Sequence, residues 1–255
     1  MPVSLSGTDD GILLALSGAA DAVSATLAST PDWGLAGTRD GQHHSDLAAD
    51  EVAVRRLVED GFGVLSEESG RHHPERPITV VLDPLDGSTN AFRGVSWHAT
   101  SLCAVDGDGA RASLVVDLVH GTRYAATRAG GARRDGVAIS TSGAGQLADA
   151  IIGVNGLPSH HWGWAQFRAL GAAALDLCAV ADGRLDGFVD CTDDGLAPWD
   201  FLGGVLACLE AGGVATDLHG RPLIDLDPPA RRTIVAAATE PLHAQLLAAR
   251  LGPDP

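Results

Sequence analysis

The chain has 255 residues, 45% of them hydrophobic, and a formal net charge of −16 in which every formal cation is an arginine. That is enough apolar material for one large globular unit or two intimate ones, and the acidic balance argues against a nucleic-acid partner, because phosphate backbones are met by basic faces. No stretch reads as the roughly 18 apolar residues that a membrane span requires, and the opening MPVSLSGTDDG has no basic region ahead of an apolar one, so a cytoplasmic chain without a membrane partner is expected.

Apolar positions at helical spacing (Ile12, Leu13, Leu16, Ala20, Val23, Leu27) predict a first helix over 10–28. Residues 31–45, rich in Gly, Asp and His, read as a loop, and 46–59 as a second helix. FGVL ends in one strand at Leu65, and ITVVL over 78–82 is a short buried strand. From about Trp97 to Ile139, strands alternate with glycine turns, as in an antiparallel meander. Beyond 145 the pattern is α/β: strand AIIGV, a helix through 165–173, strand GFVDC, a helix over 199–211, strand TIVAAA and a closing helix PLHAQLLAAR. The plan is an α+β part over 1–143 followed by an α/β part over 144–255. Cys103, Cys178, Cys191 and Cys208 form no CxxC pair, which argues against zinc.

The most informative segment is DPLDGSTN, residues 83–90. A buried strand ends, Pro84 stiffens its exit, and Asp83 and Asp86 stand three residues apart. Gly87 then allows a tight turn into a helix near Ser88, whose free N–H groups suit a phosphate. Carboxylates beside a phosphate repel it unless divalent cations stand between, and magnesium does this with few carboxylates. Two further acidic positions fit: Glu67-Glu68 after strand FGVL, and Asp200 in PWD at the start of a late helix. Asp200 also has a plainer reading as a helix cap.

The trio SEES (66–69), DPLDGSTN (83–90) and PWDFLGGVLACLEAGG (198–213) resembles the inositol monophosphatase family in order and spacing, over most of the chain. GGARRDG (130–136) and RALGAAALDLCAVADGRLDGF (168–188) resemble it too. The resemblance implies a layered αβαβα sandwich, a homodimer, and Mg²⁺-dependent, often lithium-sensitive hydrolysis of a small phosphate monoester with two or three ions. Inositol monophosphate or a related polyol or sugar phosphate is the implied substrate. Fructose 1,6-bisphosphatase, histidinol-phosphate phosphatase and nucleotide 3′-phosphatase are the alternatives within the family, and a non-catalytic binding protein on the same fold is a further one.

By that resemblance Glu67, Asp83, the Leu85 carbonyl, Asp86 and Asp200 hold the metals. Gly87 and Ser88 offer N–H groups to the phosphate. Asp86, Ala173, Asp193 and Arg168 face the rest of the substrate. The Ser88 hydroxyl, with an upstream aspartate, positions the attacking water, which one metal acidifies while another stabilises the leaving oxygen. The upstream aspartate is Asp46 by its spacing from Glu67, although the Val-Thr the family carries before it is absent; Asp50 is the competitor. Asp190, Asp193 and Asp194 all stand where the family places one acidic substrate contact, with Asp193 preferred. Those acids imply a preference for monophosphates, with Arg168 open between clamping a second phosphate and a structural role. Glu68, the histidine pairs and the tryptophans read as second-layer, exposed-loop, and core or interface residues respectively.

Overall fold

The computed structural model describes residues 7–30, 33–37 and 42–252. Residues 1–6 of the N-terminal segment read for a leader and positions 31, 32 and 38–41 of the expected loop lie outside them.

Helix α1 (Asp9–Ser29) starts where the Thr8 hydroxyl accepts the Gly11 N–H at 3.1 Å, with Asp9 and Asp10 in the first turn to suit the helix dipole. Its buried stripe (Ile12, Leu16, Ala19, Val23, Leu27) packs on α2 (His44–Glu59) and the first sheet. By length and composition α1 does qualify as long and apolar enough to cross a membrane, with a mean hydropathy of 1.6, contrary to the sequence expectation; here its apolar side covers the sheet.

The first sheet has the order β2-β1-β3-β4-β5-β6-β7-β8. Its strands are β1 (Gly63–Ser66), β2 (Gly70–His72), β3 (Thr79–Asp86), β4 (Ala99–Asp106), β5 (Gly109–Asp117), β6 (Arg123–Thr127), β7 (Gly131–Arg134) and β8 (Val137–Ala138). Only β1 and β3 run parallel; the other pairs are antiparallel, as the meander pattern predicts. Val80, Leu82, Leu102 and Ala104 face α1 and α2, whereas Val81, Cys103 and Val105 face the opposite side. Burial on both faces is why ITVVL and SLCAV are continuous apolar runs rather than alternating ones.

The second sheet has the order β10-β9-β11-β13-β12. It is built from β9 (Ile151–Asn155), β10 (Gln166–Arg168), β11 (Gly187–Asp190), β12 (Val214–Asp217) and β13 (Ile234–Ala237). Helices α4 (Ala173–Ala181) and α5 (Pro198–Glu210) fill the space between the sheets, and α6 (Glu240–Leu251) covers the outer face. Three apolar clusters, the largest lying on both sides of α4 and α5, join five layers, αβαβα.

Two segments differ from expectation. No helix spans 165–173: 166–168 is the exposed edge strand β10, Gly171 takes φ +85°, and the helix begins at Ala173. Every residue of α4 is buried, so it lacks the polar face that would have revealed its period. The strand expected to stop at Leu82 continues to Asp86 through a shift in register against β4 between Asp83 and Asp86. Pro84, which has no N–H to give a ladder, sits in that irregularity, and its carbonyl accepts the Thr100 hydroxyl at 3.0 Å.

Candidate active site

The irregularity in β3 aims its carboxylates. Asp83 Oδ1 accepts the Leu85 N–H at 2.9 Å, folding the side chain back over its own turn. Glu67 follows β1, and its N–H donates to the Leu82 carbonyl at 3.1 Å, which holds it beside the end of β3. Asp200 is the third residue of α5; its Oδ2 caps the helix by accepting the Ala197 N–H at 2.7 Å. The plain capping reading of Asp200 is therefore correct and leaves Oδ1 for another task. Carboxylate oxygens of Glu67, Asp83 and Asp200 lie within 4.8 Å of one another. Asp86, at the end of β3, accepts the Ala174 N–H at 2.8 Å at the start of α4, beside Ala173.

This concentration of charge is unfavourable as it stands. Burial, then repulsion from Glu67, Asp86 and Asp200, pushes the Asp83 carboxyl well above its ordinary range. Burial lifts Asp86 to about 8, and burial with the Asp86 charge lifts Asp200 to about 7. Acids brought together from β1, β3 and α5 at this cost fit a divalent cation, and an all-oxygen donor set fits a hard one such as magnesium.

Glu67 and Asp200 border an open cleft of about 420 Å³. Asp46, Leu85 and Ser88 line one part of it; Gly195, Trp199 and Arg231 line another. Asp46 Oδ2 accepts the His43 N–H at 2.9 Å in a capping box at the start of α2. Asp50, one turn on, is not in the cleft: it accepts the Ser66 hydroxyl, and Ser66 Oγ in turn accepts the Glu68 N–H at 3.3 Å, which braces the segment carrying Glu67. Glu68 accepts the Gln42 side-chain amide across the cleft mouth. Gly87, at φ +82°, is pressed between the Gly171 and Trp97 carbonyls, where a Cβ would come within 3.1 Å of both. It turns the chain into α3 (Ser88–Arg93) and leaves the first N–H groups of that short helix outside its hydrogen-bond ladder.

Two expected substrate contacts are elsewhere. Asp193 is 81% exposed and pairs with Arg250 of α6; the neighbouring Asp194 pairs with Arg221. Arg168 lies on the exposed strand β10, hydrogen-bonded to the Phe167 carbonyl and Gln166 side chain at 2.8 Å each. The acid nearest the cleft on this side is Asp190 at the end of β11. It is fully buried, accepts from Thr192 N–H and Asn155 Nδ2, and its Oδ2 has no partner. It sits directly behind Gly195, whose Cβ, if present, would be 2.8 Å from that oxygen. Trp199, expected in a core or interface, also lines the cleft, and His43, expected in an exposed loop, is buried with its ring 5.0 Å from that of Phe92. Gln42 and Arg231 were missed altogether; no local pattern distinguishes either from the residues around it.

A layered αβαβα fold with a carboxylate cluster at strand and helix ends defines a metal-dependent hydrolase class. The model of the inositol monophosphatase family matches residues 34–252, and the chain belongs to that family. It is 36% identical over 210 residues to the fructose-1,6-bisphosphatase/inositol-1-monophosphatase of Archaeoglobus fulgidus, covering 80% of this chain and 81% of that protein. It is 32% identical over 202 residues to Nus factor SuhB of Escherichia coli, covering 72% and 74%. Among solved structures, a hypothetical protein from Pyrococcus horikoshii with similarities to inositol-1 monophosphatase superposes with a TM-score of 0.84 at 25% identity, over 95% of this chain and 99% of that one. Family and site together make this a phosphatase-type chain.

Proposed function

We propose that the chain hydrolyses the phosphate monoester of a small polyol or sugar with Mg²⁺, by direct attack of water on phosphorus. The observation that carries this reading is the Glu67–Asp83–Asp200 cluster, with Asp86 beside it, opening onto a cleft that also holds Asp46 and Ser88. Glu67, Asp83, Asp86, Asp200 and the Leu85 carbonyl would hold two or three magnesium ions, which when bound offset phosphate charge, acidify water and stabilise the leaving oxygen. The N–H groups of Gly87 and Ser88 orient the phosphate. Asp46 accepts a proton from the attacking water, helped by the Ser88 hydroxyl. Asp190, fully buried behind Gly195, shapes that wall of the cleft, and the exposed Asp193 is paired with Arg250.

The shared ancestry with proteins named as Nus factors favours a second reading, a binding role on the same fold. Retention of all the acidic side chains favours catalysis. Phosphate release from inositol 1-phosphate and fructose 1,6-bisphosphate, with and without Mg²⁺, separates the two. Activity should require magnesium and drop by about a hundredfold or more in Asp83→Asn and Asp200→Asn. Full turnover in excess EDTA would remove the metal reading, and no turnover under any condition would favour the binding role.

A further inference from the structure

Among the described residues lining the cleft, one carries positive charge. Arg231 follows Ala230 in the long connection between β12 and β13. Its guanidinium lies 5.4 Å from the centre of the Trp199 ring, one residue from the metal-side Asp200, and its charge acts on that carboxylate. Nη1 donates to the carbonyls of Pro228 at 3.0 Å and Ala230 at 2.8 Å, which fixes the guanidinium plane. Nε and Nη2 have no hydrogen-bond partner and the group forms no ion pair among the described residues. Its neighbour Arg232 shows the contrast: it is buried, gives Nε to the Pro222 carbonyl and Nη1 to the Arg231 carbonyl, and pairs through Nη2 with Asp225 at 3.0 Å.

We infer that Arg231, seated on Trp199, is the subsite for a second anionic group on the substrate. The inference rests on the phosphatase reading above and specifies its substrate class: a phosphate monoester whose organic part also bears a phosphate or a carboxylate. The guanidinium plane is held by two carbonyls and an indole, so its remaining Nε and Nη2 donors form a fork matched to two oxygens of one anion. The stacking on Trp199 adds a cation–π contribution and limits the rotamer entropy lost on binding. The acids expected to repel a second anion, Asp193 and Asp194, are turned away and neutralised by Arg250 and Arg221. Of the three acids behind the expected monophosphate preference, only Asp190 stays close to the cleft, and it is buried behind Gly195. The arginine expected to compete for a second phosphate, Arg168, is replaced by Arg231.

Matched pairs test this: fructose 1-phosphate against fructose 1,6-bisphosphate, and glycerol 3-phosphate against 3-phosphoglycerate. In the Mg²⁺-loaded full chain the anionic member of at least one pair should have the higher kcat/KM by roughly tenfold or more, mostly through KM. The first pair reports a phosphate, the second a carboxylate. In Arg231→Met, which keeps an apolar stem over Trp199, the ratio within that pair should collapse towards one, and Arg231→Lys should restore part of it. A wild-type ratio of one in both pairs overturns the inference. So does a ratio that survives Arg231→Met, because a merely structural arginine, or one that holds the scissile phosphate, lowers both members alike. If neither these four compounds nor inositol 1-phosphate turns over, the phosphatase reading fails, and calorimetric binding of the same pairs to wild type and Arg231→Met decides the role of Arg231 by the same ratios.

Discussion

Asp46 and Asp50 are one helical turn apart and differ in what they touch. Asp46 lines the cleft with one oxygen committed to the His43 N–H, whereas Asp50 is committed to Ser66 behind β1. Asp46→Asn preserves the cap's shape but removes the basicity that the proposed mechanism uses to take a proton from water. It should lower kcat by about a hundredfold with little change in the magnesium dependence. Asp50→Asn keeps an oxygen for Ser66 and should stay within a few-fold of wild type. Steady-state kinetics at several magnesium concentrations distinguish them, and the reverse ranking would transfer the water-orienting role to Asp50. The same scale shows why Asp193 stands away from the cleft. Its fate is set by Arg250, which reaches it from a helix near the far end of the sequence. Asp190 is buried because β11 ends there, and strand ends are positions in a sheet, not in a motif.

Helix α5 carries the site into the middle of the molecule. Pro198 at its first turn and Asp200 at the cap start it, and Gly203 and Gly204 let it approach its neighbours. A Cβ on Gly203 would be 2.6 Å from Ser101 Oγ; one on Gly204 would be 2.6 Å from Leu177 Cβ and 2.7 Å from the Ala174 carbonyl oxygen. Helix propensity alone would favour alanine at Gly204 by about 1 kcal/mol. The backbone of α4 cannot yield cheaply, so Gly204→Ala should instead destabilise by about 1–3 kcal/mol. Because α4 presents the Ala174 N–H to Asp86, separating the two helices should also lower activity. Urea unfolding checks the sign, and a stabilised variant would show that the helices have room to spare.

For the molecule as a whole, the acidic cluster makes stability depend on pH and on metal together. Asp86 and Asp200, raised to about 8 and about 7, and Asp83, raised further by burial and its neighbours, bind protons more tightly in the folded chain than in the unfolded one. Their contribution is fully present below the ordinary carboxylate range and is lost as pH rises through the folded values. In EDTA, Tm should therefore fall between pH 5.5 and pH 8. On the proposed reading magnesium competes with those protons, so at about a hundred times its Kd it should raise Tm at pH 8 by roughly 5–10 °C and at pH 5.5 by much less. Calorimetry in both buffers tests this, and an equal magnesium effect at the two pH values would detach the metal from the cluster. The sequence by itself determined the family and the identity of the acids at 67, 83, 86 and 200, because motif spacing preserves what a strand end and a helix start must present. It also determined the elements with one exposed face, such as α1 and α6, since a half-buried helix writes its period into the chain. It did not determine α4, buried on every side, or the run of β3 through Pro84, which depends on Thr100 and β4 across the sheet. Only the tertiary structure decided that Arg168 and Asp193 stand outside the cleft and Arg231 within it. Charged side chains are placed through space: Arg168 lies on an exposed β-edge, Asp193 is held by a terminal helix, and Arg231 rests by the ring of Trp199.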